Sequence, residues 1–399
     1  MIQANLRWLM QTLGSDVIDN IHFNDQVNDK TIVYVSTDSR TIEAGQVFIA
    51  LTGMNFDGAQ FIAQVKDKGA IAVVTQTLVP EVDIPQILVN DTLKAYGKIA
   101  SRVAQESNVT TIAITGSVGK TSVKEMCSAI LSHYSESNRV LATHGNFNNE
   151  VGVPHTLMRF TPEHDYAVVE LGANHIGEIA YTTSLTKPDV AVLNNAAEAH
   201  LEGFGSLMGV VQAKGEIFQG LSEQGIAVVN ADSEFKHHWL SKLEQQFKEP
   251  NEHILQFSTD HSFAGKKGYV VADNIHLNAI GCASFDLIYE QQSVSVSLPI
   301  AGKHNVANAL SAAAACIAIK VPLEVISAGL QTMQLVSGRV ELHQVSDRLL
   351  IIDDSYNANV KSVNAASDLL GSYEGNKILA LGDMAELGDE GISLHQLFV

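Results

Sequence analysis

The sequence predicts an α/β protein of three domains, in which the central domain is built on a wound parallel sheet. Short apolar runs alternate with helical patterns from residue 109 onward, a pattern typical of parallel sheets that are covered on both faces. One of these runs ends in a glycine turn that contains Gly-Lys-Thr. The length of 399 residues allows two or three separate hydrophobic cores.

The first domain is predicted over residues 1–84 as a small α/β unit. Strand and helix patterns alternate there in the order 31–35, 47–51, 59–68 and 70–75, the third of these being helical. Pro80 and Pro85 then interrupt the pattern, and we place the domain boundary beside them.

The central domain is predicted over residues 85–320. Its buried strands are expected at 109–115, 166–171, 190–194 and 226–230. Between residues 269 and 300 the pattern changes to an alternation of polar and apolar residues, which predicts a small antiparallel accessory sheet. An alanine-rich helix at 304–319 closes the domain.

The third domain is predicted over residues 321–399, with strands at 349–353 and 378–381 on either side of a helix near 362–370. A wound sheet needs further strands to bury both of its faces. We therefore expect this third domain to be incomplete in the 399-residue chain.

Composition and charge exclude several classes of protein. Lys and Arg number 25 against 44 Asp and Glu, which gives a formal charge of −19 and argues against a nucleic-acid-binding protein. Cys127, Cys282 and Cys316 match no zinc or redox spacing and are expected to be buried free thiols. The first ten residues do not resemble a signal peptide, and no apolar run reaches membrane-spanning length. We expect a soluble cytoplasmic protein without membrane insertion.

The strongest local signal is a phosphate loop between the strand at 109–115 and the helix that follows. Backbone N–H groups and a helix N-terminus form an anion cradle. Lys120 can reach β- and γ-phosphates, and the Thr121 hydroxyl can ligate Mg²⁺. The loop is a shortened variant, because Ile114 stands where the usual spacing needs glycine. The predicted ATP contacts in it are Gly116, Ser117, Val118, Gly119, Lys120, Thr121 and Ser122.

Two further residues follow predicted strands. Glu170 ends the strand at 166–171, at the sheet edge where ligands of open α/β sheets bind, and its carboxylate suits Mg²⁺. His200 follows the strand at 190–194. A carboxylate that caps a loop and a structural histidine are the alternatives.

Seven further segments, in this order, resemble the Mur ligase and folylpolyglutamate synthetase superfamily. They are residues 143–149, 170–175, 199–206, 213–218, 302–308, 337–339 and 353–359. The amino-acid sequences of segments 170–175, 199–206 and 382–388 resemble those of the ligases that add D-alanyl-D-alanine to UDP-N-acetylmuramoyl tripeptide. The resemblance implies three domains, the last of them Rossmann-like, for binding UDP-substrate, ATP and dipeptide.

The resemblance also implies a reaction and its metal ions. ATP is expected to phosphorylate the terminal carboxylate of the tripeptide, and the amine of the dipeptide then attacks the acyl phosphate. Two Mg²⁺ ions are implied, with Thr121, Glu170, His200 and Lys214 as ligands. A protonated lysine cannot ligate a cation, and the resemblance implies that Lys214 is a carbamate formed with CO₂. A lysine that pairs with phosphate or is solvated is the alternative.

The remaining site residues also come from the resemblance. Asn305 is expected at the adenine, Arg339 at phosphate as a catalytic residue beside Lys120, and Asp354 at the ribose. A helix cap, a surface ion pair and a turn residue are the alternatives. The expected UDP-substrate contacts are Ser39, Arg40, Asn55 and Asp57, and those of the substrate-facing loop are Asn146, Asn148 and Asn149. Lys361 departs from the family, which usually has a small residue at this position.

Two other functions remain open on the sequence alone. One is a related ligase that adds a different amino acid, or a folate polyglutamylase, although the UDP-type first domain disfavours the folate enzyme. The other is a protein that binds nucleotide and UDP-substrate without ligase turnover. We expect a monomer in each case.

Overall fold

The computed structural model describes residues 2–23, 25–53, 56–198, 201–334 and 337–384, together with residues 393, 395 and 396. The chain divides into two compact units. Unit 1 comprises Met1–Val109 and Glu150–His164, and unit 2 comprises Thr110–Asn149 and Asp165–Val399. The domain boundaries near residues 84 and 320 stay predictions. No helix in the described ranges is both long and apolar enough to span a bilayer.

Short strands and helices alternate along most of the chain. In chain order the strands are Ala4–Asn5 (β1), Val17–Ile21 (β2), Thr31–Ile32 (β3), Val35–Ser36 (β4), Val47–Ile49 (β5), Thr52–Gly53 (β6), Phe56–Asp57 (β7), Ala72–Thr75 (β8), Gln86–Val89 (β9), Thr110–Thr115 (β10), Val140–Ala142 (β11), Tyr166–Glu170 (β12), Val190–Leu193 (β13), Ile226–Asn230 (β14), Ile254–Ser258 (β15), Tyr269–Leu277 (β16), Cys282–Tyr289 (β17), Gln292–Ala301 (β18), Glu341–Ser346 (β19) and Leu349–Asp353 (β20). The α-helices are Leu6–Leu13 (α1), Asp25–Asn28 (α2), Ile62–Asp67 (α3), Thr92–Ser107 (α4), Lys120–Tyr134 (α5), Gly152–Leu157 (α6), Glu178–Thr186 (α7), Leu201–Phe204 (α8), Leu207–Gly215 (α9), Lys236–Gln246 (α10), Pro250–His253 (α11), His304–Ala318 (α12), Leu323–Gln331 (α13) and Val360–Ser372 (α14).

Unit 1 is built on a five-stranded sheet in the order β2-β9-β8-β5-β4. Strands β4, β5, β8 and β9 are parallel, and β2 pairs with β9 in the antiparallel sense. Phe48, Ile62 and Val73 belong to its buried core, so α3 packs on this sheet. Helix α4 begins where the Asp91 side chain accepts a hydrogen bond from the Lys94 N–H, as expected of an aspartate N-cap. Helix α6, which comes later in the chain, packs against α4.

Unit 2 contains a nine-stranded sheet in the order β11-β12-β10-β13-β14-β15-β16-β17-β18. All pairs from β11 to β16 are parallel, and β16, β17 and β18 are antiparallel to one another. The predicted fold class is confirmed. The antiparallel strands, predicted as an accessory sheet, extend the parallel sheet at one edge.

Helices α5, α12 and α13 cover one face of this sheet. The buried alanines of α12 have small side chains, which let the helix lie close to the sheet and to α5. Gly329 of α13 shows how tight the packing is, because a Cβ atom there would lie 2.5 Å from the Cα of Ile130. A parallel sheet with its helices thus forms the rigid support for the loops at its carboxyl edge.

The C-terminal elements of unit 2 are the hairpin β19–β20 and helix α14. The side chain of Asn359 accepts a hydrogen bond from the Ser362 N–H, and the Ser362 hydroxyl accepts one from the Asn359 N–H, so α14 begins with a capping box. The predicted strand at 378–381 is wrong, because these residues have no regular secondary structure. Ile378 is 85% exposed, and a strand requires a neighbouring strand to satisfy its backbone groups.

Candidate active site

The phosphate loop joins the end of β10 to the start of α5. Gly119 precedes the helix with φ +79°, and Lys120 folds back so that its Nζ donates to the carbonyl of Gly116 at 2.8 Å. The Val118 N–H donates to Oδ1 of Asn195 at 3.0 Å. Burial lowers the pKa of Lys120, and the nearby Glu170 opposes this effect. The loop is therefore held in its conformation by the protein itself, with a partly buried lysine at its end.

Gly119 is a position where the close approach of neighbours excludes any side chain. An added Cβ atom would lie 2.4 Å from Oδ1 of Asn308 and 2.7 Å from Nδ2 of Asn194. We expect Gly119→Ala to weaken ADP binding by at least about tenfold, because the loop must shift to relieve the clash. Calorimetric titration with ADP measures this. Gly265→Ala is the matched control, since Gly265 has φ +74° but its nearest neighbour lies at 3.7 Å; equal losses in both variants would contradict the steric explanation.

Glu170 lies at the carboxyl end of β12 and is only 2% exposed. Its Oε2 accepts a hydrogen bond from the Thr121 hydroxyl at 3.0 Å, and its Oε1 accepts one from the Asn148 amide at 2.8 Å. Nη2 of Arg339 donates to the same Thr121 hydroxyl oxygen at 3.0 Å. Four residues that the sequence predicted for the site are therefore in one continuous hydrogen-bonded group.

Lys214 lies near the end of α9 and is 1% exposed. Burial lowers its pKa to about 7, the positive charge of Lys120 adds to this, and Glu170 is among the carboxylates that oppose it. Its Nζ lies 5.3 Å from the centre of the Phe204 ring. Glu216 accepts hydrogen bonds from backbone N–H groups at the start of α7. Within the described ranges, no ion pair neutralises Lys214.

A chain of asparagine amides connects α12 to the phosphate loop. Nδ2 of Asn194 donates to the Val118 carbonyl at 3.1 Å and to Oδ1 of Asn308 at 3.0 Å. Nδ2 of Asn308 donates to Oδ1 of Asn305 at 3.0 Å, and Nδ2 of Asn305 donates to the Ala301 carbonyl at 2.7 Å. The amide of Asn305, which was predicted to contact adenine, thus also orders the start of α12.

Arg339 lies just before β19 and Asp354 just after β20, so the hairpin brings them together at one end. The Arg339 guanidinium carbon lies 4.3 Å from the centre of the Tyr356 ring. Oδ1 of Asp354 accepts a hydrogen bond from the Val340 N–H at 3.2 Å. Burial raises the pKa of the Asp354 carboxyl, and Arg339 opposes this. The hairpin therefore brings one cation and one partly buried carboxyl to the site.

A cavity of about 720 Å³ joins these groups within unit 2. The predicted site residues that line it are Ser117, Val118, Gly119, Lys120, Thr121, Ser122, Asn146, Asn148, Glu170, Asn305, Arg339 and Asp354. The polar residues that line it without having been assigned to the site include Asn174, Asn194, Asn195, Asn230, His304, Tyr356, Asn357, Asn359 and Lys361. Asn149 and Lys214 do not line it. Asn194 is the last residue of the strand predicted at 190–194 and Asn195 follows it, so their place at a strand end could have indicated the site.

The predicted UDP-substrate contacts of unit 1 are placed as follows. Ser39 is buried, and Nζ of Lys68 donates to the carbonyls of Ser39 and Arg40. The Arg40 guanidinium pairs with Asp38 and lowers the pKa of that carboxyl to about 2. Asp57 accepts a hydrogen bond from the Ala59 N–H and so caps the short 3-10 helix Gly58–Phe61. Two predicted residues lie outside the described ranges: Asn55 and His200.

The fold and the site together define a class of protein. A phosphate loop and a buried carboxylate meet at the carboxyl edge of a parallel sheet, beside a cavity large enough for a nucleotide. Backbone N–H groups at the start of α5 and the Lys120 side chain suit phosphate. This arrangement is that of a nucleoside-triphosphate-dependent enzyme.

Comparison with known proteins makes the assignment specific. The Mur ligase middle domain matches residues 114–316, and the catalytic domain of the Mur ligase family matches residues 31–104. The chain is 45% identical over 381 residues to the UDP-N-acetylmuramoyl-tripeptide–D-alanyl-D-alanine ligase of Escherichia coli K12, covering 96% of this chain and 81% of that one. The corresponding ligase of Haemophilus influenzae is 43% identical over 363 residues, covering 91% and 76%.

Solved structures agree with the sequence comparisons. A crystal structure of MurF from Acinetobacter baumannii superposes with a TM-score of 0.88 at 36% identity, covering 98% of this chain and 82% of that one. MurF from Thermotoga maritima in complex with ADP gives a TM-score of 0.78 at 25% identity, covering 94% and 82%. The chain belongs to the Mur ligase family and is an ATP-dependent ligase.

Proposed function

We propose that this ligase joins D-alanyl-D-alanine to UDP-N-acetylmuramoyl tripeptide, with ATP converted to ADP and phosphate. The observation that carries the proposal is the convergence of the phosphate loop, Glu170 and Arg339 on one cavity. The identity of 45% to the E. coli ligase, which is named for this reaction, supports the choice of substrates.

The proposed reaction has two steps. A carboxylate oxygen of the tripeptide attacks the γ-phosphorus of ATP, the bond to the ADP oxygen breaks, and an acyl phosphate forms. The dipeptide amine then attacks the acyl carbon, loses a proton and displaces phosphate. Lys120 and Arg339 stabilise the charge of the transferred phosphoryl group, while the backbone of the loop fixes its position.

The donor set beside the phosphate loop fits Mg²⁺. Thr121 and Glu170 offer hydroxyl and carboxylate oxygens in contact with each other, and hard oxygen donors are what this ion prefers. When bound, Mg²⁺ neutralises charge on the β- and γ-phosphates. We assign Thr121 and Glu170 to one such site, and a Lys214 carbamate with His200 to a second.

The carbamate assignment rests on the protonation state of Lys214. With a pKa of about 7, a large fraction of this amine is neutral at neutral pH, whereas an exposed lysine is almost fully protonated. A neutral amine forms an N–C bond with CO₂ and releases one proton, which yields an anionic oxygen ligand. Burial of the site and the absence of an ion pair within the described ranges favour this modification over a simple ammonium group.

We expect carbon-13 NMR after addition of labelled bicarbonate to show a carbamate signal that Lys214→Met removes. The signal should weaken as the pH falls from about 8 to about 6, because the ammonium form does not react with CO₂. A wild-type protein with no such signal across this range, with or without Mg²⁺, would contradict the assignment. Folding of the variant is checked by its ADP affinity.

The UDP-substrate contacts in unit 1 and in the loop at 143–149 remain part of the proposal. Ser39, Arg40 and Asp57 have polar groups at the surface of unit 1 or close to it, and the exposed Arg40 carries a charge that suits a diphosphate. Asn146 and Asn148 line the cavity of unit 2. Asn148 also touches Glu170, so the substrate-facing loop and the nucleotide site share a residue.

Phosphate release, with product mass determined in parallel, tests the proposed function. We expect release to require ATP, UDP-N-acetylmuramoyl tripeptide and D-alanyl-D-alanine together. Release with a single amino acid and a shorter muramoyl peptide would instead indicate a related Mur ligase, and release with folate and glutamate a polyglutamylase. Binding of nucleotide and UDP-substrate without any release would indicate a non-catalytic binding protein.

A further inference from the structure

Lys361 is a cation in the cavity wall that the proposed mechanism does not use. It lies in the first turn of α14, and its exposed side chain lines the 720 Å³ cavity. The other lysine and the arginine that line the cavity already have partners. Lys120 donates to the Gly116 carbonyl, and Arg339 donates to the Thr121 hydroxyl and stacks on Tyr356. Lys361 makes no hydrogen bond or ion pair with any described residue.

Helix α14 has one end near Ala301, and Lys361 lies at its other end. Leu369, on the same helix, packs with Ala301 and Cys282, next to the start of α12 and the residue predicted at adenine. Lys361 precedes Leu369 by eight residues, which is about 12 Å along a helix axis. Lys361 is therefore displaced from the Ala301 end of the cavity wall.

The residues just before α14 connect this helix to the phosphate loop. Tyr356 lies five residues before Lys361 and stacks on Arg339, whose Nη2 contacts Thr121. Tyr356 is also tied to this turn by its N–H, which donates to the carbonyl of Gly338 at 3.0 Å. Lys361 thus lines the same cavity as the phosphate loop, five residues after the tyrosine that stacks on Arg339.

We propose that the Lys361 ammonium group contacts the γ-phosphate of ATP and is a further substrate-binding residue of this ligase. A lysine is a flexible point charge, so it can follow a phosphoryl oxygen without a fixed geometry. Glu170 and Asp354 are the carboxylates among the residues lining the cavity, and neither makes an ion pair with Lys361. The inference concerns nucleotide binding alone, so it stands or fails independently of the dipeptide and muramoyl substrates proposed above.

The test compares a nucleotide that has a terminal γ-phosphoryl group with one that lacks it. Calorimetry with Mg²⁺ measures the dissociation constants of ADP and of the imido analogue of ATP, which is not hydrolysed. We expect Lys361→Met to weaken binding of the ATP analogue about fivefold, the size of an exposed charge pair, and that of ADP less than about twofold. Methionine keeps the apolar stem and removes the charge, and unchanged ADP binding shows that the site is folded.

Two controls and three outcomes decide the proposal. Lys361→Arg should restore binding of the ATP analogue to within about twofold of the wild type, and Lys248→Met, an exposed lysine outside the cavity, should change neither constant. Equal weakening of both nucleotides would place Lys361 elsewhere along the nucleotide and overturn the assignment. No change in either constant would overturn it as well. So would an effect confined to the Michaelis constant of the dipeptide, because that result would assign Lys361 to a carboxylate.

Discussion

Lys120→Met is expected to reduce ATP-dependent phosphate release by about 10³-fold or more, the largest loss of any single substitution in the site. The partly buried ammonium group of Lys120 lies at the start of α5 and has a backbone carbonyl as its hydrogen-bond partner. It is therefore placed to neutralise phosphate charge without first breaking an ion pair. Methionine has a similar length but carries no charge. The negative charge of the bound phosphate is then left without its cation in a partly buried site.

The same variant should bind UDP-N-acetylmuramoyl tripeptide nearly as tightly as the wild type, because those contacts are assigned to unit 1 and to the loop at 143–149 and not to Lys120. Steady-state phosphate release and calorimetry with the UDP-substrate measure the two properties separately. If Lys120→Met lost both to the same extent, the assignment of the two substrates to separate groups of residues would be wrong.

Glu170→Gln is expected to lower turnover by about 10²-fold or more and to remove most of the effect of Mg²⁺ on ATP binding. The carboxylate accepts hydrogen bonds from Thr121 and Asn148 and is almost completely buried. Glutamine preserves the shape and one acceptor oxygen, so the fold is retained, but it removes the negative charge that attracts the ion.

The measurement for Glu170→Gln is the affinity for ATP at increasing Mg²⁺ concentration, with thermal unfolding as the check on folding. In the wild type the affinity should rise with Mg²⁺, and in the variant it should respond weakly. Asn148→Ala is the matched control, because it removes a neutral hydrogen-bond partner of the same carboxylate and should keep the Mg²⁺ response. A normal Mg²⁺ response in Glu170→Gln would exclude Glu170 as a metal ligand.

The parts of the site that lie in one continuous stretch of chain could be predicted from the sequence. The phosphate loop needs a strand, a glycine turn and a lysine at the start of a helix, and all three are visible between Thr110 and Lys120. Glu170 could be predicted for a similar reason, since it lies at the end of a short apolar run that indicated a buried strand. The alternation in β16, β17 and β18 likewise predicted their antiparallel pairing.

Contacts between distant parts of the chain could not be predicted in this way. Arg339 and Thr121 are 218 positions apart, and their hydrogen bond depends on how the segment before α14 returns to the loop. The low pKa of Lys214 arises from packing around α9, which no local pattern reveals. The strand expected at 378–381 failed because an apolar run does not indicate whether a pairing neighbour is present.

The position of the segment Glu150–His164 within unit 1 determines how the protein could be dissected. The backbone passes between the two units three times, after Val109, Asn149 and His164. A single proteolytic cut at any one crossing divides the chain into two polypeptides, but at least one segment of unit 1 still continues directly into unit 2. A fragment made of residues 1–109 alone would also lack α6, so the face of α4 against which α6 packs would be exposed to water. Unit 1 can therefore be isolated as an intact body only by fusing its two segments in a rearranged gene.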